Sequence, residues 1–482
     1  MNDWPRAFEP MGNLIVSPGA GPPKNGPMAR VNRAAHRVKK AAGKELHMKS
    51  ILRIATAGLC LLSLWTAAPA IAQPEPYLRV TESDDGSTMS LEVASRMFAP
   101  IDGNGPRIVL VGAAHIGDDV FYRRLQYLLD AQDVVLFEGV GLGDPTEGLP
   151  VVGRSERADR TQRRARLLVA AIVGHRARTG QYPADLDELF AGMELGTAEM
   201  IRPLMEDAAG KPFVYEPLTD AGNAPTSFVV RAGDREFGRA DLARPSGEPI
   251  DSMAGDDGIQ RGLARALGVE FQLDAMDYAQ NHWVNCDVTM EELQGLLVEA
   301  GLAGEGDNFL AMMSGSGLMG ALQGTVLGLI SSSPTMREMV KMVMIDVLGQ
   351  AEQFMGDMPG PMGDLMDVLL HERNDVVEAR LHEIVDDSGE FESVGVFYGA
   401  AHLPGIEDAL VQRMGYRPVA THWITAMGVD LNRVGASPAQ ARQLRQMIRR
   451  SLEQEFSRMR DAAPPAREPV ETAPRQRSKR AA

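Results

Sequence analysis

The chain has 482 residues, an apolar fraction of 44% and a formal net charge of −16, so it is long enough for one large or two ordinary domains with a sizeable core. The acidic balance argues against nonspecific nucleic-acid binding. Cys60 and Cys286 are the two cysteines, too few for a disulfide framework.

Residues 1–47 are rich in Pro and Gly, then basic, without apolar periodicity, and read as disordered or as lying upstream of the true start. A charged stretch from Met48, an apolar run over 54–65 and Ala70-Ile71-Ala72 before Gln73 read as a signal peptide spanning 48–72. The run falls short of the ~20 residues a membrane span needs. The expectation is therefore an exported protein, periplasmic or secreted, with no stable membrane insertion once the leader is gone. Residues 1–72 carry ten Lys/Arg against three Asp/Glu, so their loss takes the charge from −16 to −23 and leaves Cys286 without an intrachain partner.

Residues 77–105 read as one or two strands. Ile108 to Val111 is a short, unalternated apolar run that suits a strand buried on both faces, and it ends in Gly112-Ala113-Ala114-His115 before an amphipathic helix at 118–129. A second such strand ends in Phe137-Glu138-Gly139, and the pattern breaks at Gly141 to Pro145. From 150 to 256 the rhythm changes. A helix over 163–179 stops at Gly180-Gln181-Tyr182-Pro183, a shorter helix follows, and 206–215 with 227–231 read as a hairpin turning at Gly210. Helical and strand-like runs resume at 262–267 and 269–273, and Asp287 or Thr289 is the N-cap candidate for a Met-rich helical region over 291–356, interrupted by glycines around 314–317. Its methionines either fill a core or form an adaptable groove.

The helix at 362–384 places Met366, Leu369, Leu370, Val377, Leu381 and Ile384 on one stripe together with Arg373. An arginine on a buried face needs an anionic partner: either a structural ion pair, or a substrate carboxylate or developing oxyanion. His371 and His382 fall off the stripe and read as solvated, and His175 and His282 read as ordinary histidines. Val394 to Tyr398 is the last buried strand pattern and ends in Gly399-Ala400-Ala401-His402, so the strand–Gly-Ala-Ala-His–helix unit occurs twice. A helix at 404–414, a strand at 417–424 and a helix from 438 to about 459 follow, and 462–482 is a Pro-rich basic tail.

Strand-to-helix turns lie at the carboxyl edge of a parallel sheet, where α/β folds place their sites. His115, His402 and Glu138 would converge there. Two imidazoles and a carboxylate can hold a divalent transition metal, Mn, Co or Zn, and leave positions open for water. Glu138 would be either a ligand or a general base, with Arg373 beside it. There is no Gly-x-Ser-x-Gly elbow, His-Glu-x-x-His helix or Walker loop.

The paired Gly-x-x-His motifs, the Phe-Glu-Gly and the run Glu372-Arg373-Asn374 resemble the TraB/PrgY/GumN family over roughly residues 90–150 and 255–428. The resemblance implies an α/β fold with a mixed, largely parallel sheet flanked by helices, divided here into 73–149 and 257–430, with a C-terminal helix at 431–461. It implies a metal-dependent, peptidase-like hydrolase acting on a peptide or protein substrate, as described for the animal Tiki proteins. The alternative is a binding protein that sequesters a peptide or cofactor at the same edge. Residues 150–256 would be an inserted α+β module whose helix, Gly-x-Tyr-Pro turn and hairpin resemble type II secretion pseudopilins, without the amino-terminal membrane helix of those proteins.

Overall fold

The computed structural model describes residues 75–140, 148–150, 153–219, 225–242, 259–304, 306, 327–328, 330–350, 361–386 and 391–462. The expected leader at 48–72, the glycine-rich patch at 314–317 and the tail from 463 onward lie outside these residues. None of the described helices is long and apolar enough to cross a membrane.

Twelve strands occur among the described residues. β1 (Leu78–Glu82), β2 (Thr88–Pro100), β3 (Arg107–Ala113), β4 (Ile116–Gly117) and β5 (Val134–Phe137) precede β6 (Val214–Leu218), β7 (Ser227–Ala232) and β8 (Arg235–Phe237). β9 (Glu270–Phe271), β10 (Trp283–Asn285), β11 (Ser393–Gly399) and β12 (Tyr416–Asp430) complete them. Around them run α1 (Asp119–Asp130), α2 (Arg154–Thr179), α3 (Leu186–Ala191), α4 (Leu195–Ile201), α5 (Ile259–Leu267) and α6 (Met290–Glu299). The later helices are α7 (Pro334–Leu348), α8 (Pro361–Asp367), α9 (Arg373–Asp386), α10 (Leu403–Asp408) and α11 (Pro438–Ala462).

The architecture is mixed α/β, as the strand and helix patterns imply. β11 lies between β3 and β5, parallel to both, and β10 extends the sheet beyond β5, again parallel. These are the unalternated apolar runs, and β5 and most of β3 and β11 are buried on both faces. β2 turns the sheet antiparallel: β12 pairs along its whole length, while β1 and β3 share its other edge. All four parallel strands end on one edge, which receives the turns after Ala113, Phe137, Asn285 and Gly399. α1 covers the sheet with Phe121, Tyr122, Leu125, Leu128 and Leu129, the spacing of one helical face.

Several expectations shift by a defined physical cause. The hairpin is β6–β7, joined by residues 219–226, and Gly210 sits earlier, at φ +73° in a turn that the Asp207 carboxylate closes by accepting the Ala209 and Lys211 N–H groups. The strand-like run at 269–273 keeps only two paired residues before turning helical at Gln272, because β4 is itself two residues long. Thr289, with a reciprocal Glu292 bond, is the N-cap of α6, so Asp287 is free for another task. The stripe from Arg373 onward is buried as expected at Val377, Leu381 and Ile384. Before it the buried residues are Leu365, Val368 and Leu369, because Val368–Glu372 forms a π turn that adds a residue to the helical repeat.

Residues 153–242 carry their own three-stranded sheet β6–β7–β8, yet Leu168, Ile172, Phe190, Met200 and Phe228 belong to the same apolar cluster as Val109, Leu136 and Val396. The described residues from Pro76 onward fall in one compact unit. α4 reaches β12 only because residue 196 is glycine; a Cβ there would collide with the Thr421 carbonyl. α2 is tied to the start of β5 by charge: Arg160 and Arg164 meet the two oxygens of Asp133 at 3.1 and 3.0 Å, with all three side chains buried. Asp133→Asn would leave two guanidiniums buried beside a neutral amide, and is expected to cost about 3–5 kcal/mol. A urea midpoint within error of the parent would show that α2 is held by apolar contacts alone.

Candidate functional site

Three of the parallel strand ends and the first turn of α9 meet in one cluster. Glu138 follows β5, His402 follows β11, Asp287 follows β10, and Arg373 enters from α9 immediately after the π turn. The Arg373 guanidinium has five N–H donors, and each has a partner. Nε and Nη2 hold Asp287 as a two-pronged pair at 2.9 and 2.7 Å, Nη2 also donates to Glu138 Oε1 at 2.6 Å, and Nη1 donates to the Leu369 carbonyl at 3.2 Å and to His402 Nε2 at 3.3 Å. The guanidinium therefore points at the sheet edge, as its place on the stripe implies, but no donor is left over for a substrate. Arg373 is a positioning residue, the structural branch of the two readings its sequence position allowed.

Asp287 is fully buried, and its remaining acceptor capacity takes the Gly139 and Val288 N–H groups. Glu138, with 18% of its side chain exposed, accepts the Gly399 N–H at 2.7 Å through Oε2. A Cβ on residue 399 would sit 3.1 Å from that oxygen, so the glycine of the second motif leaves room for the carboxylate. Burial would raise the Glu138 pKa; the His402 imidazole, the Arg373 guanidinium and His115 outweigh it and hold the carboxyl well below its ordinary range.

The tautomer of His402 follows from its neighbours. Asn374 donates Nδ2–H to the His402 carbonyl at 3.1 Å, which fixes the amide's orientation and turns its oxygen to His402 Nδ1 at 2.8 Å. That oxygen only accepts, so Nδ1 carries a proton, and Nε2 is turned towards Arg373 and Glu138. Gly405 permits the contact, since a Cβ there would come within 2.5 Å of Asn374 Nδ2. His115 is exposed on the turn after β3, and its Nδ1 faces the Gln272 side-chain oxygen at 3.3 Å. Both motif histidines thus have Nδ1 set against an amide oxygen.

His402 Nε2 and Glu138 Oε1 stand 3.4 Å apart. Two donors on one tetrahedral ion, with bonds of about 2.0–2.2 Å, are separated by roughly 3.3–3.5 Å, so this pair fits two positions of a metal site. Among the described residues no three His, Cys, Asp or Glu side chains gather closely enough to form a complete cage. His115 is not drawn into the cluster.

Sequence reasoning placed Glu138, His402 and Arg373 at this edge and missed Asp287 and Asn374. Asp287 was hidden by its resemblance to an N-cap, and Asn374 by the absence of any role readable from a lone amide. His175 and His282 are buried core histidines, and burial depresses the His282 pKa well below its usual value. Cys286 is buried, which pushes its thiol up to about 12, so it is no nucleophile at neutral pH. Comparison with protein-family models, curated proteins and solved structures finds no match.

The depressed Glu138 pKa has a signed consequence. Its contribution to stability is complete above the unfolded-state pKa of about 4.3 and is lost as the pH falls through the lower folded-state value. The parent is therefore expected to lose its stability margin over Glu138→Gln below about pH 4, measured as the difference in urea midpoints. A margin independent of pH down to 2 would mean that the carboxyl is not held ionised by its neighbours.

Proposed function

We propose that the chain is an exported hydrolase that cleaves a peptide or amide bond at the carboxyl edge of β3, β5, β10 and β11, with a divalent transition metal held by His402 Nε2 and Glu138, and with His115 joining them only if its side chain leaves Gln272. The observation that carries this reading is His402 Nε2, turned by Asn374 towards Glu138 at the spacing of two ligands; a bound ion would take the place of the Arg373 Nη1 contact with that nitrogen. The likeness of the two Gly-x-x-His turns to the TraB/PrgY/GumN family supports the hydrolytic class. A bound ion would lower the pKa of a water and polarise the scissile carbonyl.

The chain's own groups divide the rest. Glu138 is a weak base, because a carboxyl held well below its ordinary pKa accepts a proton poorly near neutral pH; ligand is the better of its two roles. Arg373 keeps Glu138 ionised and aims it, Asp287 neutralises and orients Arg373, and Asn374 holds the imidazole in the ligating tautomer, as hydrogen-bonded partners of metal-binding histidines do. Overall, water adds to the carbonyl carbon, the C–N bond breaks and the amine leaves carrying a proton.

A binding protein at the same edge is the second reading, favoured by the incomplete donor set among the described residues. Elemental analysis after loading with Mn²⁺, Co²⁺ or Zn²⁺, paired with a peptide-library cleavage assay, separates the two. The hydrolase retains about one equivalent, loses it in His402→Ala, and binds it about 10–100-fold more weakly in Asn374→Leu. A parent protein that retains no metal and cleaves nothing leaves sequestration as the function.

Arg373→Lys keeps the charge and loses the two-pronged hold on Asp287. A lower melting temperature with unchanged turnover per folded molecule is expected. Normal stability with collapsed turnover would instead make Arg373 a substrate clamp.

A further inference from the structure

A cavity of about 400 Å³ lies between α1, α2, α4 and the middle of β12 and shares no residue with the Glu138–His402 cluster. Its volume falls within the roughly 300–1,000 Å³ of small-molecule sites. Leu128, Leu167, Ile201 and Ile424 line it, and so do Arg123, Arg124 and Arg178. Arg123 is paired with Asp119 at 2.8 Å. Arg124 and Arg178 differ: among the described residues neither side chain makes a hydrogen bond or an ion pair.

Both side chains line the cavity while remaining exposed to solvent, and the partial desolvation lowers their pKa values, that of Arg124 further through Arg178 and Arg123. Two solvent-exposed like charges thus border one apolar-walled space without a counter-charge from the described residues. The wall carboxylates do not answer them, since Glu92 is held by Arg79 at 2.6 Å and Glu194 forms no ion pair among the described residues. Arg178 has a local reason to be cationic at the carboxyl end of α2. Arg124, in the middle of α1, has none. His422 adds a neutral polar group rather than a third charge, because burial and Arg124 lower its pKa to about 4 while its Nδ1 lies 2.6 Å from Thr197 Oγ1.

The space is also kept open. Between Leu167 and Arg178, α2 turns only small residues to it, Ala170, Ala171 and Gly174, and glycine within a helix is unfavourable unless its size is needed. A Cβ on residue 174 would meet only the Arg178 guanidinium, at 3.7 Å, so nothing in the packing demands glycine there.

The geometry points to a binding site for a small amphiphilic carboxylate, its head held by Arg124 and Arg178 and its apolar body lying along Leu128, Leu167, Ile201 and Ile424. A planar carboxylate matches the guanidinium fork, and the apolar wall selects against a bare inorganic anion. Nothing in this site depends on the hydrolase reading.

Titration calorimetry of the purified protein with decanoate, decanol and inorganic phosphate tests it, alongside Arg124→Gln/Arg178→Gln and Gly174→Leu. Decanoate is expected to bind, with decanol and phosphate each at least about tenfold weaker. The double variant should lose about tenfold per arginine, and Gly174→Leu should abolish binding by filling the space. The melting temperature of the double variant should stay level or rise, since it removes two unpaired like charges; this separates a lost ligand contact from a damaged fold. Absence of decanoate binding would overturn the proposal. So would equal binding of decanol or of phosphate, or decanoate binding that survives the double variant.

Discussion

The carboxyl edge of this sheet depends on one guanidinium. Asp287 and Glu138 come from different strands and lie close together, with Asp287 fully buried; two carboxylates so placed repel each other unless a cation stands between them. Arg373 supplies that cation with a geometry an ammonium lacks, gripping both oxygens of Asp287 while one nitrogen still reaches Glu138. The π turn before it matters for the same reason, because it sets the angular position at which Arg373 leaves the helix. The two carboxylates and one guanidinium sum to one negative charge, and His402 Nε2 lies beside them. A site of that composition attracts a cation.

Much of this edge was legible because it was written in the pattern that parallel sheets impose. Unalternated apolar runs identified β3, β5 and β11, and the residue after each run was bound to appear at the carboxyl edge, so Glu138 and His402 were placed correctly by position alone. Arg373 was legible as a charge on an apolar stripe. Its partner was not, because Asp287 precedes a helix at the spacing of a cap and local pattern cannot tell a cap from a long-range ion pair. His115 is the contrasting case. Its motif matches that of His402, yet the two-residue strand β4 pairs with β9 immediately after it, and the side chain stays exposed beside Gln272. Identical local motifs diverge where their tertiary neighbours differ.

The segment between β5 and β9 reads as an inserted module because its rhythm changes at 150 and returns near 257. Change of rhythm marks a change of local structure, and β6–β7–β8 is such a change. It says nothing about where the apolar faces go. Here the faces of α2 and α4 go into the main core, and the buried Arg160–Asp133–Arg164 group binds α2 to the first residues of a central strand.

α2 also shows how the two kinds of arginine on one helix are to be distinguished. Arg160, Arg163 and Arg164, in its first half, are buried against Asp133, Glu156 and backbone carbonyls, so their charge is consumed by the fold. Arg178, in its last turn, and Arg124 on the neighbouring α1 open onto the cavity with no such partner. A charge that the protein answers internally is a structural device. A pair of exposed charges that the protein leaves unpaired, beside apolar walls and a space lined by small residues, offers a site to an anion from outside. The same criterion gives opposite answers at the two ends of the molecule: at the carboxyl edge the cation is answered in full and an uncompensated negative charge remains, while at α1 and α2 the excess is positive.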